Sequence, residues 1–126
     1  MPTGILIVDD SEPLRRRIRA LLEQEGFRVC GEAANGREAI DKSSELAPDL
    51  IILNLSMPIL SGLEALPLIL QRCPGVKVVI FTLDESIELE QHLFRLGAHG
   101  FVSKPAGPKA LLKEVKAVLE QATSAD

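Results

Sequence analysis

The stretch Asp49 to Gly62, DLIILNLSMPILSG, constrains the fold more than any other part of the chain. Leu50 to Leu53 form an unbroken apolar run of strand length, the pattern of a parallel strand covered on both faces. The run ends on the polar Asn54, Met57-Pro58 forbids a simple continuation of the strand, and Ser61-Gly62 offers a helix start a few residues later. A polar side chain is therefore expected at the carboxyl end of a buried strand, where open α/β sheets put their ligands.

The same arrangement recurs along the chain. Gly4 to Val8 is a short apolar run that stops at Asp9-Asp10. Ser11 can cap a helix with Pro13 in its first turn and Leu14, Ile18, Leu21 and Leu22 as its apolar stripe up to Gly26. Phe27 to Gly31 suggests a second strand, Asn35-Gly36 a turn, and Arg37 to Leu46 a second helix. A third helix is expected from about Ser61 to Cys73, bent or loosened in its first turns by Pro67. Val76 to Phe81 forms a fourth strand ending at Thr82, Glu85 to Leu96 a fourth helix, and Gly100 to Ser103 a fifth strand followed by Lys104-Pro105. The last helix starts at Pro108 and carries Leu111, Leu112, Val115, Val118 and Leu119 on one face.

Five strands alternating with five helices predict an α/β fold: a doubly wound five-stranded parallel sheet, helices on both faces. In the order 2-1-3-4-5, Asp9, Asp10 and Asn54 meet at the switch point between strands 1 and 3. Thr82 and Lys104 flank the same crevice.

With 126 residues the chain fits one domain, expected over 1–121, with 122–126 as a flexible tail or the start of a linker. A net charge of −4 argues against nucleic-acid binding by this domain alone, and the cluster Arg15-Arg16-Arg17 with Arg19 reads as a solvated helix face. Cys30 and Cys73 form no CxxC, so buried, reduced and inert thiols are expected. No apolar run reaches the roughly 18 residues of a membrane span and no signal-peptide pattern opens the chain, so no membrane contact and a cytoplasmic location are expected. His92 and His99 have no ligand-like company, and neither is expected to bind metal or carry a catalytic proton.

Two adjacent carboxylates, an amide, a hydroxyl and an ammonium converging on one crevice suit a hard divalent cation and a phosphoryl group. Asp9-Asp10 after strand 1, Met57-Pro58, Thr82 after strand 4 and Lys104-Pro105 after strand 5 together resemble a response-regulator receiver domain of two-component signalling, across essentially the whole chain. The resemblance implies a flavodoxin-like fold and a signalling role rather than an enzyme. It also implies Mg²⁺ held by Asp9, Asp10, the Asn54 position and the backbone carbonyl of Ser56, with Thr82 and Lys104 on the phosphate. Phe101 matches the family's aromatic switch, and the Lys104–Pro105 bond is implied to be cis.

The chain departs from the family at the chemistry itself. In receivers the position of Asn54 is an aspartate that takes phosphate from a histidine kinase. An amide is neutral with its nitrogen lone pair delocalised, so ordinary phosphotransfer should fail and Mg²⁺ should bind weakly or not at all. Leu83 stands where the family has a small residue, and a bulky side chain there is expected to narrow the crevice. The leading expectation is thus a phosphorylation-silent pseudo-receiver acting through its surface. Alternatives are a normal receiver carrying an engineered Asp-to-Asn change, and a phosphoacceptor using Ser56 or Asp10. A nucleotide- or flavin-binding domain of related fold lacks any GxGxxG or Walker loop. At about 100° per residue, Leu89, Leu93 and Leu96 share one face of the fourth helix, while Ile87 and Phe94 point nearly opposite. Phe94 and Phe101 are therefore expected to border a surface of helix 4, strand 5 and helix 5, open to a histidine kinase or other signalling protein, an output domain or a second copy.

Overall fold

Burying a leucine or isoleucine is worth roughly 1.5–3 kcal/mol, which outweighs strand propensities spanning only about 1 kcal/mol, so apolar runs with no polar face settle in the middle of a sheet. The computed structural model describes residues 3–124. Its strands are β1 (Gly4–Val8), β2 (Arg28–Ala33), β3 (Leu50–Leu53), β4 (Lys77–Thr82) and β5 (Gly100–Ser103). Its helices are α1 (Glu12–Gln24), α2 (Gly36–Leu46), α3 (Gly62–Arg72), α4 (Ile87–Arg95) and α5 (Pro108–Ser124), with a 3-10 turn at Lys104–Ala106. All strand pairs are parallel, in the order β2-β1-β3-β4-β5. Every residue of β1 and β3 is buried.

The sheet separates two cores. Leu6, Val8, Ile51, Leu53, Val78 and Ile80 pack under α2, α3 and α4, and Ile5, Ile7, Leu50, Ile52, Val79 and Phe81 under α1 and α5. Because side chains alternate across a strand, one register fixes both cores at once. Val8 lies opposite Leu53, so Asp9 and Asn54 emerge side by side one residue later.

Helix starts gather at that same end of the sheet. Ser11, Asn35, Ser61 and Ser86 each accept a backbone N–H of the first turn, and Glu64 answers Ser61 in a capping box. The loop between β3 and α3 is pinned twice: Gly36 N–H donates to Leu60 O, and Gly62 N–H to Leu55 O, both at 2.8 Å. A methyl group on Gly62 would stand 2.1 Å from the carbonyl oxygen of Asn54. Within the loop Ile59 adopts φ 70 and is 82% exposed, a strained conformation for a β-branched residue.

Several expectations are corrected. β2 continues to Ala33 instead of ending at Gly31, because the β1–β2 register shifts at Cys30 and pairing resumes from Gly31. α3 is one residue shorter at each end than expected, Gly62–Arg72, because Ser61 and Cys73 are its caps, and the expected Pro67 lies inside it on the exposed side. α4 begins two residues late, since Ser86 serves as its cap. α5 runs to Ser124, and residues 125–126 lie outside the described residues. Among the described residues no peptide bond is cis, so Lys104–Pro105 is trans. Cys30 and Cys73 are free but only half-buried, with burial pushing both thiols above their ordinary value.

His99 has a structural task. Its backbone N–H donates to Val78 O at 2.8 Å, and its Nδ1 accepts Val78 N–H at 3.0 Å. The imidazole thus takes the place of a ladder carbonyl just before β5 begins. Burial, and then the charge of Lys77, depress its pKa below the ordinary histidine value.

Two outcomes follow. Gly62→Ala is expected to destabilise the domain by at least about 1–3 kcal/mol, read by urea unfolding, because a backbone oxygen must move. For His99, the unfolded chain binds the proton more tightly than the folded one. Its stabilising contribution is therefore complete above the unfolded-state value and lost as pH falls through the lower folded-state value. Stability should decline as pH falls below the ordinary histidine value of 6.5, and His99→Gln should flatten that slope; an identical slope in the variant would refute the assignment.

Candidate functional site

The crevice is built from strand ends. Asp9 follows β1, Asn54 follows β3, Thr82 closes β4 and Lys104 follows β5. Asp9, Asn54 and Thr82 are 2%, 4% and 3% exposed, whereas Asp10 is exposed. A carboxylate this deep needs compensation, and Asp9 has it twice. Its Oδ1 accepts Ser11 N–H at 2.9 Å, and its Oδ2 meets Lys104 Nζ at 2.7 Å.

Asn54 turns the nitrogen of its amide toward oxygen. Nδ2 donates to Ser56 O at 2.9 Å and, over a longer 3.4 Å, to Asp10 Oδ1. Thr82 Oγ1 accepts a long 3.5 Å contact from Asp84 N–H. Beside this cluster, between the β3–α3 and β4–α4 connections, lies a cavity of about 290 Å³ lined by Leu55, Ser56, Ser61, Leu63, Thr82, Asp84 and Leu89. Leu83 is absent from that lining and 72% exposed; it turns to solvent rather than closing the crevice as its bulk suggests.

The donor set bears on Mg²⁺. The carboxylates of Asp9 and Asp10 and the carbonyl of Ser56 are hard oxygens of the right kind. The third carboxylate is missing, and among the described residues no three His, Cys, Asp or Glu side chains form a metal-ligand cluster. The amide N–H groups already satisfy two of the oxygens a cation would use.

The structure thus brings Asp9, Asp10, Asn54, Ser56, Thr82 and Lys104 to one end of the sheet, as the strand order demands. Phe101 and Phe94 lie away from this cluster. Phe101 is half-buried against the core beneath α2–α4 and borders a groove with Ala106, Ala110, Lys113 and Ala117. Phe94 is 42% and Ile87 66% exposed, the two sharing one side of α4 about 100–120° around the helix from the buried Leu93.

One participant escapes sequence reasoning. Arg15, expected on a solvated face, has only 14% of its side chain exposed. Its Nε donates to Glu32 Oε1 at 2.8 Å and its Nη1 to the backbone carbonyl of Asp9. Arg19 Nε donates to Glu32 Oε2, also at 2.8 Å. Burial alone would raise the Glu32 pKa, but hydrogen bonds and charge from Arg19 and Arg15 hold it below the ordinary value. Only the nearness of α1 to β2, which no local pattern encodes, reveals this.

Comparison with known proteins agrees with the geometry. The family model described as "Response regulator receiver domain" matches residues 5–116. Protein CcdB of Bacillus subtilis is 35% identical, covering 93% of this chain and 98% of that protein. Chemotaxis protein CheY of Thermotoga maritima is 31% identical over 94% of this chain and 98% of its own. The solved CheX-CheY-BeF3-Mg²⁺ complex from Borrelia burgdorferi superposes with a TM-score of 0.90 at 27% identity, covering 94% of this chain and 90% of that one. With its sheet order, its strand-end cluster and a family match over most of its length, the chain belongs to the response regulator receiver domain family.

Proposed function

We propose that this receiver domain is phosphorylation-silent and signals through its surface. The observation that carries the reading is the Asn54 amide, whose nitrogen donates to Asp10 and to Ser56 O from the place where a receiver needs a carboxylate nucleophile. An amide is no phosphoacceptor, and Lys104 is already engaged by Asp9. Asp9, Asp10 and the Ser56 carbonyl would hold Mg²⁺, which when bound neutralises negative charge at the crevice. Here two carboxylates face one ammonium, a single excess negative charge that the amide bonds partly offset. Weak cation binding is the consequence.

The signalling face in this reading is α4, β5 and α5. Ile87 and Phe94 expose apolar surface there, and Phe101 borders the adjoining groove. Receiver domains work with histidine kinases and output domains, and either, or a second copy, fits this face. Phe94→Glu separates these: it converts dimer to monomer in sedimentation if the partner is a second copy. If the partner is an output domain, the chain sediments as a monomer with either residue and the substitution abolishes binding of that domain in trans. Kinase binding lost on substitution points to the kinase, and no effect on any of the three rejects the face.

The decisive substitution is Asn54→Asp. It removes both amide hydrogen bonds and adds a like charge, so metal-free stability should fall by about 1–3 kcal/mol. A third carboxylate about 4 Å from a cation contributes several kcal/mol gross at an effective dielectric near 20, of which desolvation removes part, so Mg²⁺ should bind at least about tenfold tighter and restore the lost stability. Intact mass after acetyl phosphate and Mg²⁺ should show one added phosphoryl group in the variant and none in the Asn54 protein. Phosphorylation of the Asn54 protein itself, mapped to Ser56 or Asp10, overturns the silent reading.

A further inference from the structure

The β1–β2 ladder stops one residue before it should. Asp9 N–H still donates to Ala33 O at 3.0 Å, but β2 ends at Ala33 and the chain turns into α2. Ala34 N–H goes to Glu38 Oε1, and Asn35 is the buried cap of α2. In a parallel ladder a residue's N–H and C=O face the same neighbour, so the ladder partner of the Asp9 carbonyl would be Asn35 N–H, but β2 has ended there and among the described residues no backbone N–H donates to that carbonyl. A carbonyl beside a buried carboxylate needs one.

Arg15 supplies it. Its Nη1 reaches the Asp9 carbonyl while Nε is held by Glu32. Glu32 is itself fixed from three elements: its own strand β2, Arg19 on α1, and Lys42 on α2, whose Nζ donates to the Glu32 backbone carbonyl. The guanidinium is a rigid fork, so anchoring one nitrogen fixes where the others point.

We propose that Arg15, anchored by Glu32, is a positioning residue for the crevice: it replaces the missing ladder donor, orients the Asp9–Asp10 peptide, and so sets where the Asp10 carboxylate meets the Asn54 amide. The proposal rests on the crevice being the functional site, and it adds a component that lies outside the crevice. The Asp9–Asp10 peptide is the hinge on which Asp10 hangs. Asp9 is fixed by Ser11 N–H and Lys104, whereas Asp10, exposed, has among the described residues only the 3.4 Å amide contact. Loosening Arg15 therefore acts first on Asp10.

The test uses nuclear magnetic resonance on the Asn54 protein, with no metal and no phosphoryl donor. Arg15→Ala should shift the Asn54 side-chain NH₂ and the Ser11 amide, and raise their exchange with water by about tenfold, the effect of losing one hydrogen bond of typical strength. Arg15→Lys, which keeps a donor but loses the fork, should restore part of the protection, and Glu32→Gln should fall between. Arg16→Ala, on the exposed neighbour paired with Glu12, is the control and should leave both signals in place. In the Asn54→Asp background, Arg15→Ala should also weaken Mg²⁺ binding by about threefold to tenfold. Unmoved Asn54 and Ser11 signals in Arg15→Ala or, if that variant does not fold, in Arg15→Lys and Glu32→Gln, overturn the proposal. Phosphorylation of the Asn54 protein overturns the functional reading, while these signals still decide the role of Arg15.

Discussion

Asp9 carries a charge at the end of β1 with 2% of its surface exposed, and the crevice takes its form from how that charge is compensated. Removing an unpaired carboxylate from water costs several kcal/mol even after relaxation, so the fold must bring a cation and donors to it. Ser11 does so locally, two residues on, while capping α1. Lys104 does so from the opposite edge of the sheet, reaching Asp9 past the ends of β3 and β4. That single ion pair ties β5 to β1 across two intervening strands. Its small exposure on both sides, 17% and 3%, sets it apart from the pair Arg16–Glu12, 73% and 66% exposed, where water screens most of the attraction.

The parts of this molecule that are legible in sequence are those where one physical effect dominates. GILIV and LIIL read as central strands, because no face of either run tolerates water, and Ser11 and Ser61 announce helix starts through side chains that compete for backbone N–H groups. The strand order then collects Asp9, Asp10, Asn54, Thr82 and Lys104 at one end. What stayed hidden depends on partners distant in sequence. Arg15 and Arg19 look like solvated charges until β2 sets Glu32 beside them, and His99 looks like a loop residue until β4 presents a free N–H at Val78. Leu83 misleads for the opposite reason: its bulk is evident in sequence, but its direction, outward, is set by the backbone after β4.

The contrast between Asn54 and a carboxylate at the same place turns on which state of the site is lowest in free energy without a cation. A third carboxylate would stand beside Asp9 and Asp10 with one ammonium between them, and its repulsion falls away only when a cation arrives. The amide reverses this balance. It donates where a carboxylate would repel, and it does so from a side chain only 4% exposed, where hydrogen bonds are least diluted by water. Both carboxylate oxygens of Asp9 are then matched by Ser11 and Lys104, and the Asn54 amide reaches the Ser56 carbonyl and, at longer range, one oxygen of the exposed Asp10.

The far side of α4 holds a feature that the crevice does not account for. Ile87 and Phe94 keep apolar surface in water, 66% and 42% exposed, although the helix has a buried face in Leu93 and the chain could have carried polar residues at both positions at no cost to its core. Strain at Ile59 follows the same logic, since glycine or asparagine would fit φ 70 with less penalty and without 82% of an isoleucine in solvent. Neither feature stabilises the fold, and both lie on the surface. In the surface-signalling reading proposed above, contact with another molecule would cover these residues.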